Sequence, residues 1–246
     1  MSIEVLPVEG LPIFHEGDSF SEEICKKIQI KDGDVLCVAS SVYSKTKGYT
    51  RAIDSIVPGE KACEIAEKCK EDPRFIQAVL DDTVELIIEY PFVLSKMKSG
   101  HVGVRAGVDN SNIERGYIIR LPPEPMKSAE EIRSEIKKLT GADVRVIITD
   151  TCGRSFRKGQ TGAALGWAGM PAIRDFRGDT DLFGRVLEIT EEAVVDEFAA
   201  FSNFIMGESN NGVPAVVFRN CPEWQGHDEL FFTAEEDITI KALKKK

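Results

Sequence analysis

Apolar residues recur along this chain in two rhythms, and the rhythms divide it into elements. Seven short runs rich in Val and Ile, bounded by turn residues, predict β-strands over residues 3–8, 34–39, 84–89, 116–121, 144–149, 185–189 and 215–219. Longer stretches repeat their apolar positions every three or four residues, which predicts helices over residues 21–28, 60–70, 74–80, 129–139 and 191–206. The fourth helix opens at Ser128 with Glu131 three residues on, the spacing of a capping box, and closes at Gly141. In the last, Ala193, Val194, Phe198, Phe201, Phe204 and Ile205 recur at helical spacing, a stripe that predicts core.

Strands and helices interleave without strict alternation. The expected fold class is therefore α/β in the broad sense (α+β), a mixed sheet with interleaved helices. The chain reads as one domain over residues 1–246, and "RLPPEPMKS" (120–128) is the best candidate for a sub-domain break, because its prolines stop a helix or a central strand. Neither G-x-x-x-x-G-K-[ST] nor G-x-G-x-x-G occurs, so the expected architecture is neither a P-loop nor a Rossmann one.

Composition changes the picture in one respect. Hydrophobic residues at 42% and charged residues at 29% are ordinary for a globular chain, but the formal net charge is -10. That charge argues against nucleic acid as a partner, and an anionic ligand would need a local basic cluster or a bridging metal. Cys25, Cys37, Cys63, Cys69, Cys152 and Cys221 form no C-x-x-C pair and are expected to be reduced and mostly buried. The N-terminus "MSIEVLPVEG" has no basic n-region or long apolar h-region, and no run approaches the roughly 20 apolar residues that cross a bilayer. The C-terminal "LKKK" reads as a solvated tail. A soluble, cytoplasmic protein with no membrane partner is expected.

The chemistry gathers in three polar stretches. In "VRVIITDTCGRSFRKGQTGAALG" (144–166) a β-branched run ends in Thr149, Asp150 and Thr151, followed by Arg154, Arg157 and Lys158 among glycines. A carboxylate beside a hydroxyl at a strand's carboxyl end is a hard-oxygen pair suited to Mg²⁺ or Mn²⁺, and the basic residues can grip phosphate or carboxylate oxygens. An ordinary turn with a solvated basic loop explains the same letters. In "GVRAGVDNSN" (103–112), Asp109, Asn110, Ser111 and Asn112 offer a second metal carboxylate plus amides for a base or phosphate, or a plain Asx turn. "MGESNNGV" (206–213) reads as a helix cap at Gly207 or as a nucleotide loop with Glu208 as a third acidic ligand. Ser40, Ser41 and Lys45 in "ASSVYSKTKG" fit phosphate oxygens or a turn. His15, His101 and His227 adjoin no nucleophile pattern, so no His-centred triad is expected.

Taken in order, "GLPIF", "ASSVYSKTKG", "GVDNSN", "TDTCGRSFRKGQTGAALGWAG", "RDFRGDTDLFGR" and "MGESNNGVPAVVFR" resemble the coenzyme F-420-0:L-glutamate ligases, the gamma-glutamyl ligases of deazaflavin cofactor synthesis, over nearly the whole chain. The resemblance implies a homodimer that adds L-glutamate to coenzyme F-420-0 and then adds a second through a gamma linkage. GTP is split to GDP and phosphate, through an acyl phosphate. It implies Mg²⁺ or Mn²⁺ in two sites, with K⁺ as a helper: Asp109 and Asp150 on one metal, Thr151 and Glu208 on the other. It further implies GTP contacts from Leu11, Pro12, Ile13, Phe14, Ser40, Ser41, Lys45 and Asn112, and from Met206, Gly207, Glu208, Ser209, Asn210, Asn211, Gly212 and Val213. Asp150, Arg154, Arg157 and Lys158 are the expected catalytic set. Cys152 stands where many relatives carry a bulky aromatic, and Ser209 follows Glu208 where Lys is frequent. Two rivals use the same residues: a metal-dependent nucleotide phosphohydrolase and a non-catalytic GTP-binding module.

Overall fold

The structure is a computed structural model that describes residues 2–233 and 235–244. Its first half runs β1 (Glu4–Pro7), α1 (Phe20–Lys27), β2 (Val35–Ala39), α2 (Ser40–Thr46), β3 (Thr50–Ala52), α3 (Glu60–Cys69), α4 (Pro73–Asp82), β4 (Thr83–Ile88), β5 (Leu94–Met97), β6 (Val102–Val104) and β7 (Tyr117–Ile119). The second half runs α5 (Pro125–Thr140), β8 (Arg145–Gly153), β9 (Gln160–Ala168), β10 (Ile173–Asp175), β11 (Glu191–Glu192), α6 (Val194–Met206), β12 (Ala215–Arg219), β13 (Gly226–His227) and α7 (Ile238–Lys244).

Five strands form a mixed central sheet in the order β1-β12-β2-β8-β9, in which β2 and β8 run parallel and the other neighbours antiparallel. Alternation along the strands sends side chains to two cores. Leu36, Val38, Val146, Ile148 and Val217 pack with Ile24 of α1 and with Ala129, Ile132 and Ile136 of α5. Val35, Cys37, Ile147, Val216 and Phe218 pack with Val195, Ala199 and Met206 of α6. Helices thus cover both faces, which is why β2 reads as an unbroken apolar run. A third cluster joins α3 and α4 to Val93, Met97 and Ile118 beside the small β4-β5-β6 and β3-β7 sheets. The mixed α/β class expected from the pattern is the one found.

Local chemistry sets the helix ends. Ser19 accepts from the Glu22 N–H at the start of α1, and Asp72 accepts from Arg74 N at 2.8 Å ahead of Pro73 in α4. Gly141 closes α5 at φ 80°. The expected capping box does not form. Proline is at home in a first helical turn, so α5 starts at Pro125. Ser128 Oγ then bonds the Glu124 carbonyl at 3.0 Å inside the helix, while Glu131 takes the Tyr43 hydroxyl at 2.7 Å.

Other expectations are corrected. Residues 185–189 form no strand: they lie in an exposed hairpin loop turned by Asp181, whose carboxylate accepts from the backbone of Phe183 and Arg185. Val186 makes only an isolated bridge to Thr180, and Ile189 is 87% exposed, since among the described residues little packs over the run. Helix α6 begins at Val194, because Glu191 and Glu192 pair with Asp175 and Arg174. Its aromatic stripe is only partly core, with Phe204 77% exposed and stacked on Phe201. All six cysteines are free, but only Cys37 is fully buried and Cys63 is exposed. Among the described residues no helix is long and apolar enough to cross a membrane. Lys245 and Lys246 of the expected tail lie outside the described residues.

Candidate active site

The strand expected to stop at Thr149 continues. β2 ends at Ala39, opposite Thr149, while β8 runs on to Gly153 with only β9 beside it. Asp150 therefore lies inside a strand rather than at its tip, and it stands just beyond the carboxyl end of the parallel neighbour. A register shift marks the point: Ile148 faces Gly166 but Thr149 faces Ala164, leaving Leu165 as an extra residue on β9. Such a bulge bends the strand and re-aims the side chains that follow. The Ala164 N–H donates to Asp196 Oδ1 at 2.8 Å, and its carbonyl takes His101 Nε2 at 3.0 Å. A carbonyl only accepts, so Nε2 carries the proton and Nδ1 is left to accept from Ser99 Oγ at 3.0 Å. Burial pushes the His101 pKa down and favours this neutral form.

Beyond the bulge, alternation places neighbours on opposite faces. Asp150 follows Ile148 toward the α2 side, where Ser40 Oγ donates to its Oδ1 at 3.2 Å. Thr151 follows Ile147 toward α6. Its hydroxyl donates to Glu208 Oε1 at 2.7 Å and accepts from Asn203 Nδ2 at 3.1 Å, and Asn203 Nδ2 also donates to Glu208. Gly162 sits directly across from Thr151, and a Cβ there would meet the Ala199 carbonyl oxygen at 2.2 Å and Asn203 Cβ at 2.8 Å. The missing side chain is what lets α6 lie against the hairpin.

The Asp150 pKa is pushed up to about 6, chiefly by burial, with a further part from the charges of Asp109 and Glu208, against hydrogen bonds from the Thr151 N–H and Ser40. Asp109 is exposed at the end of an isolated bridge to Ile119, and its carboxylate accepts from Asn110 N at 2.8 Å and from Ser111 Oγ. Both bonds are local to the loop, but neither runs to the backbone N–H two residues on that defines an Asx turn. Lys45 Nζ ties α2 to the same loop through the Asn112 carbonyl at 2.6 Å, and burial lowers its pKa.

The ligand atoms of Asp109, Asp150 and Glu208 do not all gather within 4.8 Å of one another; among the described residues the trio that does is Asp175, Glu191 and His227. That trio already holds a cation. Arg177 lies 2.6 Å from Asp175 and 3.1 Å from Glu191, and it draws the Asp175 pKa down to about 2. Asp150 is the opposite case: a half-buried carboxylate with acidic neighbours and, among the described residues, no cationic partner. Carboxylate and hydroxyl oxygens of that kind fit a hard divalent cation such as Mg²⁺ or Mn²⁺.

The remaining expected residues surround this strand unevenly. Arg154, Arg157 and Lys158 stand in the exposed β8–β9 turn, with no acidic partner among the described residues. Pro12 and Ile13 are exposed and Leu11 is half-buried, but the Phe14 ring packs on Phe20 at 5.4 Å in the core, so only its backbone can face a ligand. Ser40 is buried and Ser41 half-buried at the start of α2, and Asn112 adopts a left-handed φ of 50°. Met206 is the buried last residue of α6. Gly207 caps the helix, its N–H bonded to the Asn203 carbonyl at 2.9 Å, and Glu208, Ser209, Asn210, Asn211 and Gly212 are exposed before the half-buried Val213. Asn203, Gly162, His101 and Asp196 were missed, since each acts through a contact with a distant element.

A sequence model described as F420-0:Gamma-glutamyl ligase matches residues 10–220, a span that contains every residue of the β8 site. Over 247 aligned residues the chain is 46% identical to the "Coenzyme F420:L-glutamate ligase" of Archaeoglobus fulgidus, covering 100% of this chain and 99% of that protein. Proteins of the same name from Natronomonas pharaonis and Methanosarcina mazei are each 45% identical, over 98% of this chain and 96% and 91% of theirs.

Proposed function

This chain belongs to the F420-0:gamma-glutamyl ligase family, and from that premise we propose that it joins L-glutamate to coenzyme F-420-0 at the expense of GTP. The products are F-420-1 and then gamma-linked F-420-2, with GDP and phosphate released. The observation that carries the reading is the half-buried Asp150 carboxylate, set just past the end of β2 among like charges and without a cationic partner among the described residues. Asp109 and Asp150 would hold one divalent cation and Thr151 and Glu208 a second; when bound, such cations neutralise phosphate oxygens that a chain of net charge -10 would otherwise repel.

A free carboxylate is a poor acyl donor, because its leaving group would be oxide. The lactyl carboxylate oxygen therefore attacks the γ-phosphorus, the bridging bond to the β-phosphate breaks, and GDP leaves with the electron pair. The amine of glutamate then attacks the acyl carbon, phosphate departs, and the amine proton is lost as the amide forms. Ser40, Ser41 and Lys45 reach the phosphates from α2, while the Leu11–Phe14 backbone, Asn112 and the 206–213 loop border the nucleotide. Arg154, Arg157 and Lys158, in an exposed turn with no acidic partner among the described residues, hold the acidic groups of the acceptor or of glutamate. Most of the work assigned to side chains is positioning and charge stabilisation.

Mass spectrometry of F-420-0 incubated with the protein, L-glutamate, GTP and Mn²⁺, with each component omitted in turn, tests the reading. A product heavier by one or two glutamyl units, lost when GTP or metal is omitted, is expected. GTP consumption with no mass shift would point instead to a phosphohydrolase. Tight GTP binding with neither result would point to a binding module.

A further inference from the structure

We infer that Asn203 is a positioning residue that presets the Thr151–Glu208 pair for a cation, an inference that rests on the two-cation reading of the β8 site. The argument begins with what an amide can do. Glu208 Oε1 only accepts, so the Asn203 atom facing it is the Nδ2 donor, and the same nitrogen lies 3.1 Å from Thr151 Oγ1. The Thr151 proton is committed to Glu208 Oε1 at 2.7 Å. With one Oγ1 lone pair taken by Asn203, the other stays open. Glu208 Oε1 is doubly bonded by donors, while among the described residues no donor meets Oε2. The oxygens left over are one from each residue, both hard donors.

Glu208 needs such a hold. It is exposed, and it follows Gly207, whose φ of 70° and ψ of 175° suit glycine alone. A free glutamate there would lose rotamer entropy on binding a cation. Asn203 removes that freedom at both ends of the step: its carbonyl accepts the Gly207 N–H at 2.9 Å, and among the described residues its side chain makes only the two bonds just named. Asn203 is itself seated by the close approach of α6 at Gly162. A helix-capping asparagine would serve its own loop only, whereas this one reaches Thr151, 52 residues away on β8.

The test is a Mn²⁺ titration of the full chain, followed by the electron paramagnetic resonance signal of free Mn²⁺, for the wild type and Asn203→Ala. It is run beside thermal unfolding and ligase rates at varied Mn²⁺. We expect two ions on the wild type. In the variant, one keeps its affinity and the other weakens by about 10–100-fold, the usual cost of losing a group that orients a ligand. The variant's kcat should return at high Mn²⁺, which a merely structural role would not allow. If Asn203→Ala does not fold, Asn203→Gln, with its amide displaced by one methylene, must show the same selective loss. Superimposable titrations overturn the inference, as does equal weakening of both ions with a lowered unfolding midpoint. A wild type that binds no Mn²⁺ overturns the two-cation reading and this inference together, and is told apart because the parent protein itself is then inert.

Discussion

The two faces of β8 beyond its bulge are built on opposite plans. On the α2 face a single half-buried carboxylate, Asp150, has one hydroxyl donor and like charges around it. On the α6 face a neutral hydroxyl, Thr151, is knitted to an amide and to the carboxylate of an exposed loop. The first face stores electrostatic tension that a cation would relieve. The second stores position, held by helix packing. On the proposed two-cation reading, two adjacent residues serve two subsites because a strand alternates, so one continuing strand would replace two converging loops.

Substitution of the two faces should therefore fail differently. Asp150→Ala is expected to cost about 4 kcal/mol of transition-state stabilisation, about 10³-fold in glutamate-dependent turnover. Asp150→Asn should leave the metal-free protein at least as stable above pH 6, because burial raises the carboxyl's pKa and its ionised form therefore costs stability there. A lower unfolding midpoint for Asp150→Asn at pH 7 would erase the contrast. Thr151→Val should lose only about 10–100-fold in activity, recoverable with metal.

Gly162→Ala sharpens the comparison from the scaffold. Its Cβ would strike the Ala199 carbonyl oxygen, backbone that cannot swing aside, so overpacking should cost about 1–3 kcal/mol. The unfolding midpoint should drop by about 2–4 °C per kcal/mol, with Mn²⁺ affinity lost on the Thr151 face first. The smallest effect is expected at His101, which clamps the bulge both faces share. Burial lowers its pKa below the usual value of about 6.5, so the unfolded chain takes up the proton more readily. The stability His101 contributes is present above pH 6.5 and lost as pH falls through that value. The drop in unfolding midpoint between pH 7 and 5 should be shallower in His101→Gln than in the wild type; equal slopes would remove His101 from the account.

Much of this arrangement is legible in the letters. Residues 215–219 form the strand that their apolar run predicts, and the carboxylate and hydroxyl that close a β-branched run single out Asp150 and Thr151, which β8 carries side by side. The continuation of β8 was not legible, since Thr, Asp, Thr, Cys and Gly read as a turn and only a partner strand makes them a ladder. That partner, "QTGAALGWA", has little strand propensity. Its small residues are there for the helices instead: a Cβ on Gly166 would meet the Pro125 backbone at 2.3 Å, as one on Gly162 would meet α6. Asn203 was hidden inside an aromatic stripe, because a period of apolar residues says nothing about which polar neighbour faces a distant hydroxyl. Phe204 fits the period yet lies on the surface, since periodicity marks a face of the helix and not how far the cover extends.

The most direct measurement is an anomalous difference map from crystals grown with Mn²⁺ and GDP. The account predicts density against Asp150 on the α2 side of β8 and against Thr151 and Glu208 on the α6 side. Density confined to the Asp175, Glu191 and His227 cluster, with none along β8, would contradict it.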